Sequence, residues 1–225
     1  MMKLTGDMKW LIVVGAGGHG KVAAEAATAS GKYRIAAFVD DKYVDERIKG
    51  GVLHAPMYSI ESLLNQIRDA RVIIAVGANA TRQQLVSRLD LPDEKYATVV
   101  HPAATVSPSA EIGIGSVVFA GSVLNADAIV GRHAIVNTRA VVEHDCLVGD
   151  YAHLSPGAVI SGGVHVAVGA HLGVGASVIP GVTVGEWSTL GAGAVAIRDV
   201  PARCTAVGVP ASHIRNKESV NHALI

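Results

Sequence analysis

One six-residue pattern runs without a slip from Val106 to Val200, and it leaves this chain few folds to choose from. Stepping by six from Val106 passes through Ile112, Val118, Leu124, Val130, Val136, Val142 and so on to Leu190 and Ala196. Fifteen of these sixteen positions are Val, Ile or Leu. Four residues after each stands a small or modest side chain, among them Ala110, Ser116, Ala128, Cys146, Ala158 and Ala194. In a strand the small residue and the next aliphatic, two apart, lie on one side, so both point inward. The third and fourth residues of each hexad are left to turn a corner. Three sides close a triangle, and the run makes about five coils of three hexads, stacked by parallel hydrogen-bond ladders.

The segment before the repeat reads differently. Trp10–Val14 is an apolar strand, Lys21–Ser30 an Ala-rich helix and Ile35–Val39 a second strand ending in Asp40-Asp41. Between the first strand and the helix, Gly15, Gly17 and Gly20 match G-x-G-x-x-G, with the acidic pair about 20 residues on. Such a turn is either a plain tight turn or a place where bare amides at a helix start hold a phosphate. Tyr58–Ala70 and Ala80–Leu89 read as further helices and Arg71–Val76 as a third strand, with Gly77-Ala78-Asn79 at the carboxyl end where open α/β sheets bind ligands. About 100 residues hold half of a dinucleotide-binding sheet, which favours a mononucleotide over NAD. His101-Pro102 and Pro108 mark an extended passage into the repeat. The expected architecture is an α/β half-Rossmann domain over 1–102 followed by a parallel β-helix over 103–225.

Charge excludes some functions. Nineteen basic residues balance nineteen acidic ones and form no cluster, which argues against nucleic acid. No apolar run is long enough to span a bilayer, and Trp10–Val14 is too short to be the core of a signal peptide. Cys146 at an inward position and Cys204 far from it read as reduced thiols of a cytoplasmic protein.

Within the repeat, Glu143-His144-Asp145 stands out. His144 and Asp145 fill the corner of their hexad, and the residues stacked one coil away are Ala126-Asp127 and Gly162-Gly163, so the space over the imidazole is nearly empty. A carboxylate beside a histidine fixes its tautomer and raises its basicity, as a general base requires. A surface histidine with an accidental acid neighbour would look the same. His153 and His171 should stack on one face of successive coils. Their column also holds Ile135 and Thr189 and no carboxylate or cysteine, so no metal site is expected. Outward apolar residues such as Val117, Val123, Ile129, Ile135, Val141 and Leu147 ask for a covering surface, most simply a subunit contact closing a trimer.

These features together resemble the left-handed β-helix acyltransferases, and the pairing with a nucleotide-binding half is similar to the bacterial nucleotide-sugar N-acetyltransferases and their sialic acid O-acetyltransferase kin. The left hand comes from the resemblance alone. It implies acetyl-CoA as co-substrate, an active site between neighbouring subunits of a homotrimer, and His144 as base within Glu143-His144-Asp145-Cys146, oriented by Asp145. It assigns Asn137, His153, Gly173, Gly191, Ala192, Gly208 and Pro210 to the coenzyme A side, and Gly17, Gly18, His19, Asp40, Asp41, Asn79 and Arg82 to the nucleotide of the acceptor. The implied reaction is N-acetylation of a nucleotide-linked amino-deoxy sugar, with UDP-4-amino-4,6-dideoxy-N-acetylhexosamine as the expected acceptor. The alternatives are sialic acid O-acetylation and, from the glycine turn taken alone, an NAD-linked oxidoreductase or nucleotide sensor. No role is readable for residues 216–225.

Overall fold

The computed structural model describes residues 8–214, so the tail from 216 to 225 lies outside the described residues. The N-terminal unit is built as β1 (Lys9–Val14), α1 (Gly18–Ala29), β2 (Tyr33–Val39), β3 (Arg47–Lys49), β4 (Val52–Ala55), α2 (Ile60–Gln66), β5 (Arg71–Ile74) and α3 (Asn79–Leu89). Its sheet has the order β3-β4-β2-β1-β5, parallel except for β3. The hairpin β3–β4 adds two strands to the three expected. Its turn is Gly50-Gly51, both at positive φ, a conformation that glycine adopts without the clash a Cβ would bring. Leu11, Ile12 and Val13 are wholly buried because a parallel strand flanked on both sides has no solvent face.

The hexads fold as expected. Strands of two residues form three parallel sheets with partners one coil apart, such as Val123 with Val141 and Ile135 with His153. The inward column from Val118 to Leu190 and the small residues Ala128, Ala134, Ala140, Ala152 and Ala158 form one continuous core. This is a left-handed parallel β-helix. The ladder starts ahead of residue 103, since Val99–Val100 already pair with Val117–Val118. It ends where Thr189 meets Thr205, and Thr205–Val207 then turns back on Ser212–Ile214 as an antiparallel hairpin.

The three faces have different fates. One, carrying Val117, Ile135, His153 and His171, packs against the chain's own N-terminal unit. Val117, Phe119 and Ile135 share a core with Leu11, Val13, Ala23 and Ala27. The subunit contact expected from Val117 and Ile135 is therefore made within the chain, and that face is called the seam below. The second face, with Val123 and Val141, is half-buried, and the third leaves Ile129 and Leu147 about two-fifths exposed. Only these two faces still ask for a cover. Among the described residues, no helix is long and apolar enough to cross a membrane.

Candidate active site

His144 and Asp145 sit on the corner between the second and third faces. The corner needs one residue in the left-handed region, and Asp145 supplies it at φ 59°. That conformation brings its carboxylate back to the ring, where Oδ2 lies 2.7 Å from His144 Nδ1. Both side chains are mostly exposed. The hydrogen bond to Asp145 raises the imidazole above its ordinary pKa, with a smaller push from the Glu143 charge. Glu143 is itself held by Asn125, whose Nδ2 donates to Oε2 at 2.8 Å.

The empty space over the ring is real. A Cβ at Gly162 would stand 2.5 Å from Cε1 and Nε2 of His144. Gly162→Ala is expected to leave the melting temperature nearly unchanged and to slow turnover at least about tenfold, because the ring must swing away from its place. Unaltered turnover would show that the ring's position is immaterial. Cys146 points inward, wholly buried, with Sγ 3.1 Å from Ser161 O, and burial pushes its thiol up. It is placed as packing rather than as a nucleophile. Cys146→Ala is expected to keep nearly full turnover, measured as thiol release.

The glycine turn forms the second part of the site. Gly17 caps α1, and no atom lies within 4 Å of where a Cβ would stand on Gly17 or Gly18, so a ligand can approach the backbone there. Gly20 has the opposite reason for being glycine: a Cβ would strike the carbonyl of Gly15, where helix meets strand. Asp40 is committed to the turn, accepting from Ala16 N at 2.6 Å and Lys42 N at 3.0 Å. Its carboxylate shapes the loop more than it awaits a ribose. Asp41 is exposed beside it. Lys42, which the sequence pattern does not single out, donates from Nζ to Ala16 O at 2.7 Å and brings a half-exposed cation to the turn.

Three residues assigned to the acceptor nucleotide face the seam instead. The His19 ring points at Phe119 and His153, with Nε2 buried and without a partner among the described residues, and burial lowers its pKa to about 4. Asn79 Nδ2 donates to Gly169 O and Ala170 O at 3.0 and 3.2 Å. Arg82 is wholly buried with its donors spent on backbone carbonyls and Asn79. No free donor remains on it for a ligand. The pattern Gly77-Ala-Asn79 carries the position of this loop, whereas nothing in sequence shows that a neighbouring coil consumes the side chains.

His153 and His171 stack at 5.0 Å between ring centroids, as their spacing requires. Asn137 Nδ2 lies 3.1 Å from His153 Nε2, and His153 Nδ1 lies 3.3 Å from Gly77 O. The amide donates to Nε2, so the proton sits on Nδ1 and the ring is neutral. Burial, then the neighbouring His171 and Arg82 charges, lowers its pKa to about 3. Of the positions assigned to coenzyme A, Asn137 and His153 are thus joined to each other at the seam. Gly173 is buried under the next coil, where a Cβ would meet Ala192 N at 2.6 Å, while Ala192, Gly208 and Pro210 are exposed. Among the described residues, no cluster of His, Cys, Asp and Glu could hold a metal ion.

The two halves of the site lie apart within one chain. The His144 corner is the edge of the prism opposite the seam, while the glycine turn belongs to the unit docked on the seam. A left-handed β-helix that carries an α/β unit with a glycine turn on one face is the architecture of the β-helix acyltransferase class. The comparisons agree with that class. Residues 10–89 match the PglD N-terminal domain. A mutant of perosamine N-acetyltransferase from Caulobacter crescentus, in complex with CoA and GDP-perosamine, superposes with a TM-score of 0.85 at 40% identity over 92% of this chain and 97% of that one. The acetyltransferase domain of PglB from Neisseria gonorrhoeae gives 0.83 at 41% identity over 92% and 100%. UDP-N-acetylbacillosamine N-acetyltransferase of Bacillus subtilis is 46% identical over 110 residues, 48% of this chain. That match spans about half the length of the curated relative. The chain belongs to the family of nucleotide-sugar N-acetyltransferases that includes the perosamine and PglB enzymes.

Proposed function

We propose that this protein transfers the acetyl group of acetyl-CoA to the amine of a nucleotide-linked amino-deoxy sugar, with UDP-4-amino-4,6-dideoxy-N-acetylhexosamine as the first acceptor to test. The observation that carries the reading is the His144–Asp145 corner. Nδ1 is held by the carboxylate, and Nε2 is left open over the bare backbone of Gly162. The amine nitrogen attacks the thioester carbonyl carbon, and the C–N bond forms as the C–S bond breaks. Nε2 takes the amine proton and returns it to the departing sulfur.

Because the corner lies opposite the seam, the base facing a bound acceptor comes from a second copy. The uncovered second and third faces support closure as a homotrimer, in which three prisms each lend one corner to a neighbour. Gly17, Gly18 and Lys42 suit the diphosphate of the acceptor. The relatives divide over the base, one being named for a UDP-sugar and another holding GDP-perosamine. Both unpaired cysteines support a cytoplasmic setting.

The test is thiol release from acetyl-CoA on giving the purified protein UDP-4-amino-4,6-dideoxy-N-acetylglucosamine, GDP-perosamine or sialic acid. Release with either nucleotide-linked amine supports the reading and names the base. Release with sialic acid alone moves the function to O-acetylation, and silence with all three overturns the assignment of the acceptor.

A further inference from the structure

The side of the seam formed by the corner between the third face and the seam face carries a row of backbone carbonyls. His133, Tyr151 and Gly169 stand there one coil apart, each at positive φ. In this conformation the carbonyl turns out of the stack. The ladder uses the carbonyl of the preceding residue, as in Tyr151 N to Arg132 O and Gly169 N to Asp150 O, and no backbone donor among the described residues reaches the oxygens of His133, Tyr151 or Gly169. Orphaned carbonyls in a buried seam need partners.

The start of α3 supplies all three. Arg82 Nε donates to His133 O at 2.7 Å, Arg82 Nη2 to Tyr151 O at 2.6 Å, and Asn79 Nδ2 to Gly169 O at 3.0 Å. The remaining donors of the guanidinium turn to its own unit. Nη1 bonds Val76 O and Gly77 O at 2.8 and 3.1 Å, and Nη2 also bonds Asn79 Oδ1 at 2.9 Å. Nη2 also reaches Ala152 O at 3.4 Å, so five N–H groups meet six acceptors. Arg82 is the only wholly buried side chain of α3; Leu85, Val86 and Leu89, half-buried, pack on the helix's own unit, so the tie from this helix to the β-helix is polar. Burial lowers its pKa to about 10, which still leaves the group charged. No carboxylate among the described residues offsets that charge. An apolar residue would be cheaper to bury, and could slide.

We propose that Asn79 and Arg82 are positioning residues, which lock the loop Val76–Ala78 at the carboxyl end of β5 to three successive coils and so set where the acceptor sugar lies relative to the neighbour's base. This rests on the acetyl-transfer reading above. The lock is two-sided: the guanidinium holds the crevice loop by Nη1 and the β-helix by Nε and Nη2. His153 adds a third tie to the same Gly77 carbonyl. A shift of about 1 Å in such a loop costs on the order of 10²-fold in rate although no reacting group is changed.

The experiment compares Arg82→Met, Arg82→Lys and Asn79→Ala as full chains. Their KM for acetyl-CoA, KM for acceptor and kcat are measured, together with amide exchange of residues 76–79. Arg82→Met is expected to lower kcat over acceptor KM by about 10²-fold, with the acetyl-CoA KM nearly unchanged. Arg82→Lys, with three donors for six acceptors, should recover part of that loss, and Asn79→Ala should lose less than Arg82→Met. Faster exchange at 76–79 in all three is expected even if no acceptor is ever found, which separates failure of this proposal from failure of the acetyl-transfer reading. Wild-type acceptor kinetics in Arg82→Met would overturn the proposal. Losses shared equally by both substrates, or unchanged exchange, would do the same. If Arg82→Met does not fold, the lysine and Asn79 variants carry the same tests.

Discussion

His144→Ala is expected to lower kcat by about 10²–10⁴-fold, the usual cost of losing a general base, with acetyl-CoA binding retained. The residue lies on an exposed corner and its ring contributes nothing to the core, so the variant should fold and melt as the parent does. The companion change Asp145→Asn keeps the side chain's size and removes its charge. The imidazole pKa then falls back toward its ordinary value, since the Asp145 hydrogen bond is the main cause of the rise. In the parent, the acid limb of kcat over KM should lie above that ordinary value, because the base must be neutral to act. In Asp145→Asn the limb should move to lower pH while the plateau drops. A His144→Ala enzyme with more than a tenth of parental turnover would remove the histidine from the mechanism.

Acid is expected to take several kcal/mol from the folded state between about pH 6 and pH 4. Burial holds His19 and His133 at about 4 and His153 at about 3, all below the value of 6.5 for a solvated ring. The sign follows from proton binding. Between these values and 6.5 the unfolded chain is protonated and the folded one is not, so falling pH favours unfolding, by up to about 1.4 kcal/mol per pH unit for each ring. Such a loss is a large share of the roughly 5–15 kcal/mol that holds a domain together. His133 is enclosed between Tyr96 and Tyr151 with both ring nitrogens unpartnered among the described residues. Arg82 and Arg132 oppose its charging, against a smaller pull from Asp150 and Asp93. His19 also faces Arg82, and His153 faces His171, Arg82 and His19. Urea midpoints measured from pH 7.5 to 4.5 should fall with a slope of more than one proton taken up on unfolding. A flat profile would mean that these rings are not held neutral.

The β-helix is legible because its period is strict: Val118, Val136 and Leu154 are aliphatic for the same reason that Ala134 and Ala152 are small, and both columns are seen in the core. The His144 corner is legible for a related reason. Once the period fixes the length of a coil, counting one coil onward from the imidazole arrives at Gly162. The hairpin of Arg47–Lys49 and Val52–Ala55 is harder to read, since strands of three and four residues carry almost no alternation, and only Gly50-Gly51 signals a turn. The roles of His19, Asn79 and Arg82 are hidden for a different reason. Their partners are a phenyl ring, a histidine and main-chain oxygens on the far side of the seam, and a backbone carbonyl leaves no letter in the sequence. A glycine turn followed by Asn and Arg reads as a ligand site whether the side chains face the ligand or the scaffold behind it.

The even stacking of the coils also governs which changes of length the chain can absorb. Gaining or losing one hexad would move every later residue from one face of the prism to the next, sending His171 from the seam toward the open sides while leaving the inner aliphatic column unbroken. Such a protein could still fill its core and yet present its docking surface to solvent. Gain or loss of a whole coil returns each later side chain to its own face, so the tower can grow or shrink above the Asn79–Arg82 lock in whole storeys. Chain length in this half of the molecule is therefore quantised, and the quantum is set by the seam as well as by the core.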